Sequence, residues 1–243
     1  MPATFGIIGY PLSHSFSAVY FAKKFAAEHI DATYTPFPLE HIGDFPALLQ
    51  NHNTLRGLSV TIPYKTAVIP YLDSLDVTAE AVGAVNSIAI KNGFKKGYNT
   101  DVTGFEESLR PLLSAQHNAA LVLGTGGASL AVAYVLEKLN IPFLKISRTK
   151  KDKCITYGEL DTAIVSSHTL IINTTPAGMY PKVDECPELP YASIGKEHLL
   201  YDLIYNPDET KFLQLGKQNG AAIKNGLEML YLQAEASWRI WNS

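Results

Sequence analysis

The stretch Leu121-Val122-Leu123-Gly124-Thr125-Gly126-Gly127-Ala128-Ser129 predicts the fold of the second half of the chain. A short apolar run meets a glycine cluster, and an apolar, alanine-rich segment follows over residues 130–139. This pattern is typical of a strand, a tight turn and a helix. Glycines let a ligand approach the main chain, and the free N–H groups at a helix start suit a phosphate. The stretch therefore predicts a phosphate-binding turn, with a ligand-free turn as the alternative.

A basic loop follows the next predicted strand, residues 141–146. It begins with Ser147, Arg148 and Thr149 and continues through Lys150 and Lys151. In units that bind NAD, an acidic residue here accepts the ribose hydroxyls, whereas a basic residue favours the extra 2′-phosphate of NADP. Because this loop has basic residues and no acidic one, it indicates NADP; the alternative is a solvated basic loop.

Composition and charge limit the classes of protein that fit. The chain has 243 residues, of which 47% are hydrophobic and 18% charged, enough for two modest domains. A net charge of −3 gives no general attraction to nucleic acid or anionic membrane. No apolar run approaches the ~20 residues of a membrane helix, and the start of the chain does not resemble a signal peptide. Cys154 and Cys186 lack metal-ligand spacing, so we expect free thiols, a cytoplasmic location and no metal.

The first half of the chain predicts a small α/β domain with polar residues where strands end. Strands are predicted at residues 4–9, 34–39 and 55–62, and a hairpin is predicted through Asn92-Gly93. Lys65 follows the third of these strands, and Asp101 begins a predicted helix. A nicotinamide enzyme needs a proton donor opposite the hydride, so Lys65 is the candidate donor and Asp101 its orienting carboxylate. A solvated surface lysine is the alternative.

The rest of the second half predicts two further buried strands, residues 169–175 and 199–205, a short last strand at 221–223 and a closing helix at 227–241. Apolar residues recur at helical spacing along that helix, which is typical of a core-facing stripe. Because the helix follows the nucleotide-binding unit, we expect it to cross back onto the first domain.

Several short motifs together resemble those of the shikimate dehydrogenases, in the same order and across nearly the whole chain. The motifs are Gly9-Tyr10-Pro11-Leu12-Ser13-His14-Ser15-Phe16-Ser17, Val60-Thr61-Ile62-Pro63-Tyr64-Lys65, Gly83-Ala84-Val85-Asn86-Ser87, Gly97-Tyr98-Asn99-Thr100-Asp101, Gly124-Thr125-Gly126-Gly127-Ala128, Ser147-Arg148-Thr149, Tyr201-Asp202-Leu203-Ile204-Tyr205 and Asn225-Gly226-Leu227-Glu228-Met229-Leu230.

The resemblance implies an α/β protein of two domains with a cleft between them. A substrate-binding catalytic domain is expected at 1–100 with 227–243, and a Rossmann-like NADP-binding domain at 101–226. The implied activity is the reversible, NADPH-dependent reduction of 3-dehydroshikimate to shikimate, in the biosynthesis of chorismate and the aromatic amino acids. The expected partners are the small-molecule substrates, with no nucleic acid or membrane, and the expected state is a monomer or homodimer.

The resemblance also implies roles for individual residues. Ser15, Ser17 and Tyr205 would hold the substrate carboxylate, Thr61, Asn86, Asp101 and Gln233 would bind its hydroxyls, and Lys65 would protonate the developing alkoxide. Around the cofactor, Gly124, Thr125, Gly126, Gly127 and Ala128 would hold the pyrophosphate and Ser147, Arg148 and Thr149 the 2′-phosphate. Leu203 and Gly226 would lie near the nicotinamide, and Lys151 and Thr174 are expected as further cofactor contacts.

Other functions remain open at this point. One is a paralogue that acts on quinate or uses NAD more broadly. Another is a non-catalytic NADP-binding sensor, against which the presence of both Lys65 and Asp101 counts. A third, a methylene-folate-type dehydrogenase, would not account for Ser15, Ser17 and Asn86.

Overall fold

The structure is a computed structural model, and it describes residues 2–12 and 16–243. The chain forms two compact units. The first comprises Met1–Thr100 and Gln233–Ser243, and the second comprises Asp101–Leu232. Each unit contains one six-stranded sheet.

The first unit alternates strands and helices before it ends in a hairpin. Its elements in chain order are β1 (Ala3–Gly9), α1 (Phe16–Ala27), β2 (Ala32–Pro38), α2 (Phe45–Asn51), β3 (Leu55–Val60), β4 (Ser74–Leu75), α3 (Val77–Val82), β5 (Ser87–Lys91) and β6 (Phe94–Tyr98). The sheet order is β2-β1-β3-β5-β6-β4. β1 pairs in parallel with β2 and β3, whereas β5 runs antiparallel to β3 and β6.

The second unit repeats a strand–helix alternation. Its elements are α4 (Asp101–Leu109), β7 (Ala120–Leu123), α5 (Gly127–Lys138), β8 (Phe143–Ser147), β9 (Cys154–Thr156), α6 (Thr162–Ser167), β10 (Leu170–Asn173), β11 (Leu199–Asp202), α7 (Lys211–Gln218) and β12 (Ala222–Lys224). The last helix, α8 (Leu227–Trp241), begins in this unit, and its residues from Gln233 onward belong to the first unit.

The end of α8 completes the core of the first unit. Trp241 stacks on Phe5 of β1 with ring centroids 5.3 Å apart, and Trp238 packs edge-on against the same ring at 5.2 Å. Phe21 and Phe25 of α1 complete this aromatic cluster. Aromatic rings bury large apolar areas, so this contact holds the C-terminal residues of the chain in the unit that contains its N-terminal residues.

The sheet of the second unit is parallel throughout, in the order β12-β11-β10-β7-β8-β9. This is the doubly wound order, in which the first strand of the unit, β7, lies between β8 and β10. Ligands of such sheets bind beyond the carboxyl ends of the strands where the winding reverses. Here that point lies between β7 and β10, so it places the glycine turn after β7 next to the residues after β10.

Most predicted elements are confirmed, with differences at their ends. The hairpin turns through Asn92 and Gly93, which both have positive φ angles, of 51° and 83°. The strand predicted over residues 199–205 is wrong at its end, because β11 stops at Asp202. There the Asp202 side chain accepts a hydrogen bond from the N–H of Ile204, which turns the chain away from the sheet. The three-residue strand β9 was not predicted.

Candidate active site

The glycine turn after β7 has the geometry of a phosphate-binding turn. Gly124 has a φ of 109°, and a Cβ on it would lie 2.7 Å from Oγ1 of Thr174. Thr174 follows β10, and its hydroxyl donates to the Leu123 carbonyl over 2.6 Å. The 12-residue helix α5 starts at Gly127 without a side-chain cap, and a Cβ on Gly126 would meet nothing within 4 Å. The first N–H groups of α5 and this open space fit a phosphate group of a dinucleotide.

The basic loop after β8 contacts the glycine turn through one lysine. Lys151 Nζ donates to Oγ1 of Thr125 over 2.8 Å. Lys150 instead pairs with Glu159 at 2.5 Å. The hydrogen bond from Lys150, together with those from Thr156, lowers the pKa of Glu159 to about 2, so this carboxylate is ionised and neutralises Lys150. Of these two lysines, Lys151 is therefore the one that fits a phosphate of the cofactor.

Ser147 and Arg148, at the start of this loop, differ in burial. Ser147 is the last residue of β8 and is buried, and the N–H of Thr149 donates to its hydroxyl over 3.4 Å. Arg148 between them is exposed. An exposed guanidinium beside a buried hydroxyl is available to an anionic ligand without displacing the strand, which fits the 2′-phosphate of NADP.

Leu203 and Gly226, both predicted to lie near the nicotinamide, contact each other in the second unit. A Cβ on Gly226 would lie 2.1 Å from the Leu203 carbonyl oxygen, so only glycine permits this approach. The N–H of Gly226 donates to the Ile204 carbonyl over 3.0 Å. Tyr205 follows, and burial raises the pKa of its phenol, so the group remains a neutral hydrogen-bond donor at physiological pH.

A buried polar cluster in the first unit surrounds Asn86. Its Nδ2 donates to Thr100 Oγ1 over 2.9 Å and to Gln233 Oε1 over 3.4 Å. Its Oδ1 accepts from the N–H of Thr100 over 2.6 Å. Thr100 Oγ1 also lies 3.0 Å from the hydroxyl of Ser237 on α8. The cluster holds the Asn86 amide in one orientation, which suits recognition of a hydroxylated ligand.

The segment after β3 brings the main chain of Lys65 to Val85, the residue next to Asn86. Tyr64 is buried, and its hydroxyl donates to the Leu39 carbonyl over 2.6 Å. The Lys65 carbonyl accepts from the N–H of Val85 over 2.7 Å, one residue before Asn86. Thr61 starts the segment, with its N–H donating to the Ile8 carbonyl over 2.9 Å. Main-chain hydrogen bonds thus hold the segment of residues 61–65 at its first residue and at its last.

The two residues predicted to move the proton belong to different units. Lys65 is half-buried in the first unit, and Asp101 is the buried first residue of α4 in the second. Each engages in interactions with its surroundings. Their pairing stays a prediction.

Of the two serines predicted to hold a carboxylate, Ser17 lies within the described residues. Ser17 is buried on α1 and is hydrogen-bonded to Tyr34, whose hydroxyl in turn donates to Ser59 over 2.9 Å. Burial raises the pKa of Tyr34, so its phenol stays protonated within this chain of hydroxyls. Ser15 and His14 lie outside the described residues.

Within residues 2–12 and 16–243, no group of three or more His, Cys, Asp or Glu side chains is arranged to hold a metal ion. Over the same residues, no helix combines the length and apolarity needed to cross a membrane.

Comparison with known proteins decides the family. A family model described as the shikimate dehydrogenase substrate binding domain matches residues 7–88. The shikimate dehydrogenase (NADP(+)) of Methanosphaera stadtmanae is 37% identical, over 97% of this chain and 90% of that protein. The chain belongs to the shikimate dehydrogenase family. The family and its NADP dependence, expected from the motifs, are confirmed.

Solved shikimate dehydrogenase structures share the whole fold. The crystal structure of the enzyme from Aquifex aeolicus has a TM-score of 0.89 at 32% identity, covering 99% of this chain and 92% of that one. The enzyme from Thermus thermophilus, in complex with NADP(H) and shikimate, has a TM-score of 0.87 at 28% identity, covering 98% and 93%. The predicted α/β fold with a Rossmann-like unit is therefore confirmed.

Some residues that support the candidate site were not predicted from the sequence. Thr100, Ser237 and Tyr64 hold the cluster and the lysine turn, and Asn173 bonds to Asp202 over 3.1 Å. Tyr64, Thr100 and Asp202 lie within the motifs that carry the family resemblance. Their roles depend on partners up to 137 residues away, so local patterns did not indicate them.

Proposed function

We propose that this member of the shikimate dehydrogenase family catalyses the reversible reduction of 3-dehydroshikimate to shikimate by NADPH, a step towards chorismate and the aromatic amino acids. One observation carries the proposal. The residues matched by the family's substrate binding model include Asn86, whose amide is fixed by Thr100 and Gln233 in a buried polar cluster. A ring acid with several hydroxyls needs such neutral polar groups.

The second unit is proposed to bind the cofactor. Gly124, Thr125, Gly126, Gly127 and Ala128 would hold the pyrophosphate, with Thr174 behind the turn. Ser147, Arg148, Thr149 and Lys151 would bind the 2′-phosphate, and Leu203 and Gly226 would lie near the nicotinamide. NADPH, when bound, supplies the hydride that reduces the substrate carbonyl carbon.

Binding of the substrate is proposed to use hydroxyl and amide groups. Ser15, Ser17 and Tyr205 would donate to the carboxylate, and Thr61, Asn86, Asp101 and Gln233 would bind the ring hydroxyls. Neutral donors bind a carboxylate more weakly than a bidentate arginine does. We therefore expect a Michaelis constant for shikimate in the usual range of about 1 μM to 1 mM rather than tighter binding.

The proton is proposed to come from Lys65. As the carbonyl carbon is reduced, negative charge develops on its oxygen, and the Lys65 ammonium would donate a proton to that oxygen. Asp101 would orient the ammonium by a charge-assisted hydrogen bond. In the oxidation of shikimate, the neutral amine would remove the hydroxyl proton. The anchored turn around Tyr64 supports this assignment, because it limits the positions that the lysine can take.

The domain roles follow the same proposal. Residues 1–100 with 227–243 would form the substrate-binding catalytic domain, and residues 101–226 the NADP-binding domain. A cytoplasmic location is proposed from the two cysteines, which lack metal-ligand spacing. A monomer or homodimer is proposed from the resemblance to the family.

The experiment is a steady-state assay of NADP+ reduction with shikimate, run beside quinate and NAD+. We expect shikimate with NADP+ to give the highest kcat/KM. A higher kcat/KM with quinate or NAD+ would indicate the paralogue with different specificity, and no turnover with any pair would indicate a non-catalytic NADP-binding protein.

Lys65→Ala tests the proton donor within the same assay. Loss of general acid catalysis typically costs about 10²–10⁴ in rate, so kcat should fall by that factor while KM for shikimate changes little. Lys23→Ala, which removes an exposed lysine from α1, is the matched control and should leave both constants unchanged. Near-normal turnover in Lys65→Ala would refute the assignment.

A further inference from the structure

A carboxylate is fully buried at the end of β11. Asp202 has 0% of its surface exposed. Its Oδ1 accepts from Asn173 Nδ2 over 3.1 Å and from the N–H of Ile204 over 3.0 Å, and its Oδ2 accepts from Thr210 Oγ1 over 2.6 Å. None of the ion pairs between described side chains includes Asp202. The charge is therefore stabilised by neutral donors alone.

Such a carboxylate is costly for the fold. Burial raises the pKa of Asp202 to about 6, although the three hydrogen bonds oppose the shift. The group is still ionised at neutral pH, but its charge is less stable than in water. An asparagine has the same shape and accepts the same two bonds at Oδ1, and Thr210 Oγ1 can accept from its amide. The protein thus retains a charge that the fold does not require.

The hydrogen bonds around Asp202 join the turns after two neighbouring strands. Asn173 is its register partner on β10. Oδ1 of Asn173 accepts from the N–H and the hydroxyl of Thr175, over 3.0 Å and 2.7 Å. The other two donors to Asp202, Ile204 and Thr210, lie near the two ends of the turn after β11. One carboxylate is therefore the common acceptor for residues 173–177 and 203–210.

The charge adds to constraints that the main chain already sets. The N–H of Thr175 fixes the Asn173 amide with its Oδ1 towards Thr175 and its Nδ2 towards Asp202, and an ionised carboxylate, which only accepts, matches that orientation. The Thr210 hydroxyl must likewise donate. An asparagine at position 202 also permits the Thr210 hydroxyl to accept instead of donate, and its neutral oxygen forms weaker hydrogen bonds to Asn173 and Ile204 than an ionised carboxylate does. The charged group therefore holds both turns more firmly than its neutral isostere.

We propose that Asp202 is a positioning residue, whose carboxylate locks the turns after β10 and β11 and so sets Leu203 and Tyr205 for the reaction. This rests on the proposed function, in which those two residues contact cofactor and substrate. Thr174 in the first turn and Leu203 in the second pack against the glycines Gly124 and Gly226. A shift of either turn therefore displaces groups on both sides of the cofactor site.

The test compares Asp202→Asn with the wild-type protein by hydrogen–deuterium exchange and steady-state kinetics. We expect a melting temperature equal to or above that of the wild type at pH 7.5. Exchange should be at least tenfold faster in peptides covering 173–178 and 203–210, and kcat should fall at least tenfold. Asp161→Asn is the matched control, because Asp161 is an exposed aspartate that caps α6 through Ile164 in the same unit. It should change neither kcat nor the exchange of those peptides.

Thr210→Val gives a second variant that keeps the charge. It removes the donor at Oδ2 only, so exchange should rise in 203–210 and stay unchanged in 173–178. The proposal is overturned if Asp202→Asn keeps kcat within twofold, or if both variants loosen the same peptides equally. It is also overturned if activity falls only in proportion to the unfolded fraction. Exchange needs no substrate, so a wild-type protein that fails to oxidise shikimate would refute the proposed function without deciding the role of Asp202.

Discussion

Thr100→Val removes one buried hydroxyl and keeps the shape of the side chain. Thr100 is 2% exposed, and its Oγ1 lies 2.9 Å from Asn86 Nδ2 and 3.0 Å from the Ser237 hydroxyl. Valine offers neither group a partner. Because a buried polar group that loses its partner costs about 1–3 kcal/mol, we expect the free energy of unfolding of the first unit to fall by about 2–4 kcal/mol.

The same change should weaken substrate binding. The N–H of residue 100 still holds Oδ1 of Asn86, but Nδ2 of Asn86 loses its 2.9 Å hydrogen bond to the hydroxyl and keeps the longer one to Gln233, at 3.4 Å. If the looser amide forfeits one hydrogen bond to the substrate, worth about 1.4 kcal/mol, KM for shikimate rises about tenfold. KM for NADP+ should not change. A loss confined to binding also leaves kcat near its wild-type value.

Urea denaturation and steady-state kinetics measure the two effects. Thr4→Val is the matched control, because Thr4 Oγ1 pairs with Thr54 Oγ1 at 2.9 Å at the start of β1 in the same unit. That pair is half-buried, so its loss should cost about 1 kcal/mol or less and leave KM unchanged. The reasoning is refuted if Thr100→Val leaves KM for shikimate within twofold, or raises KM for NADP+ equally.

Two further predictions concern the second unit. Arg148→Ala should raise KM for NADP+ about tenfold and leave KM for NAD+ unchanged, because a charge-assisted hydrogen bond contributes about 1.5–3 kcal/mol. The ammonium of Lys150 already pairs with Glu159, so Lys150→Ala should raise KM for NADP+ by a smaller factor. Equal increases in the two variants would contradict the assignment of Arg148 to the 2′-phosphate. Burial and the charge of His198 lower the pKa of His117, whose Nδ1 accepts a hydrogen bond from the N–H of Ser114. The stabilisation that neutral His117 gives the fold is therefore present above about pH 6.5 and is lost as the pH falls below that value. The melting temperature should therefore drop between pH 7.5 and 5.5, and His117→Gln should drop less; an unchanged loss in the variant would show that other groups cause it.

Local sequence determined the elements that carry the proposed cofactor site. The apolar run before Gly124 and the alanine-rich run after it are sufficient to specify a strand, a turn and a helix, because each obeys a short-range period. Asn92-Gly93 specified the hairpin turn because both residues adopt positive φ angles at low cost. The ordered motifs were sufficient to identify the family.

The tertiary structure alone decided which polar groups meet. Asn86 bonds to Gln233, 147 residues further along the chain, and Lys151 reaches Thr125 in another turn. It also decided that β11 ends at Asp202, where a side chain captures the next turn. Periodicity in the sequence indicates which face of an element is apolar. A hydrogen bond between distant segments instead requires a donor and an acceptor to come within about 3 Å of each other. The packing of each sheet sets that distance.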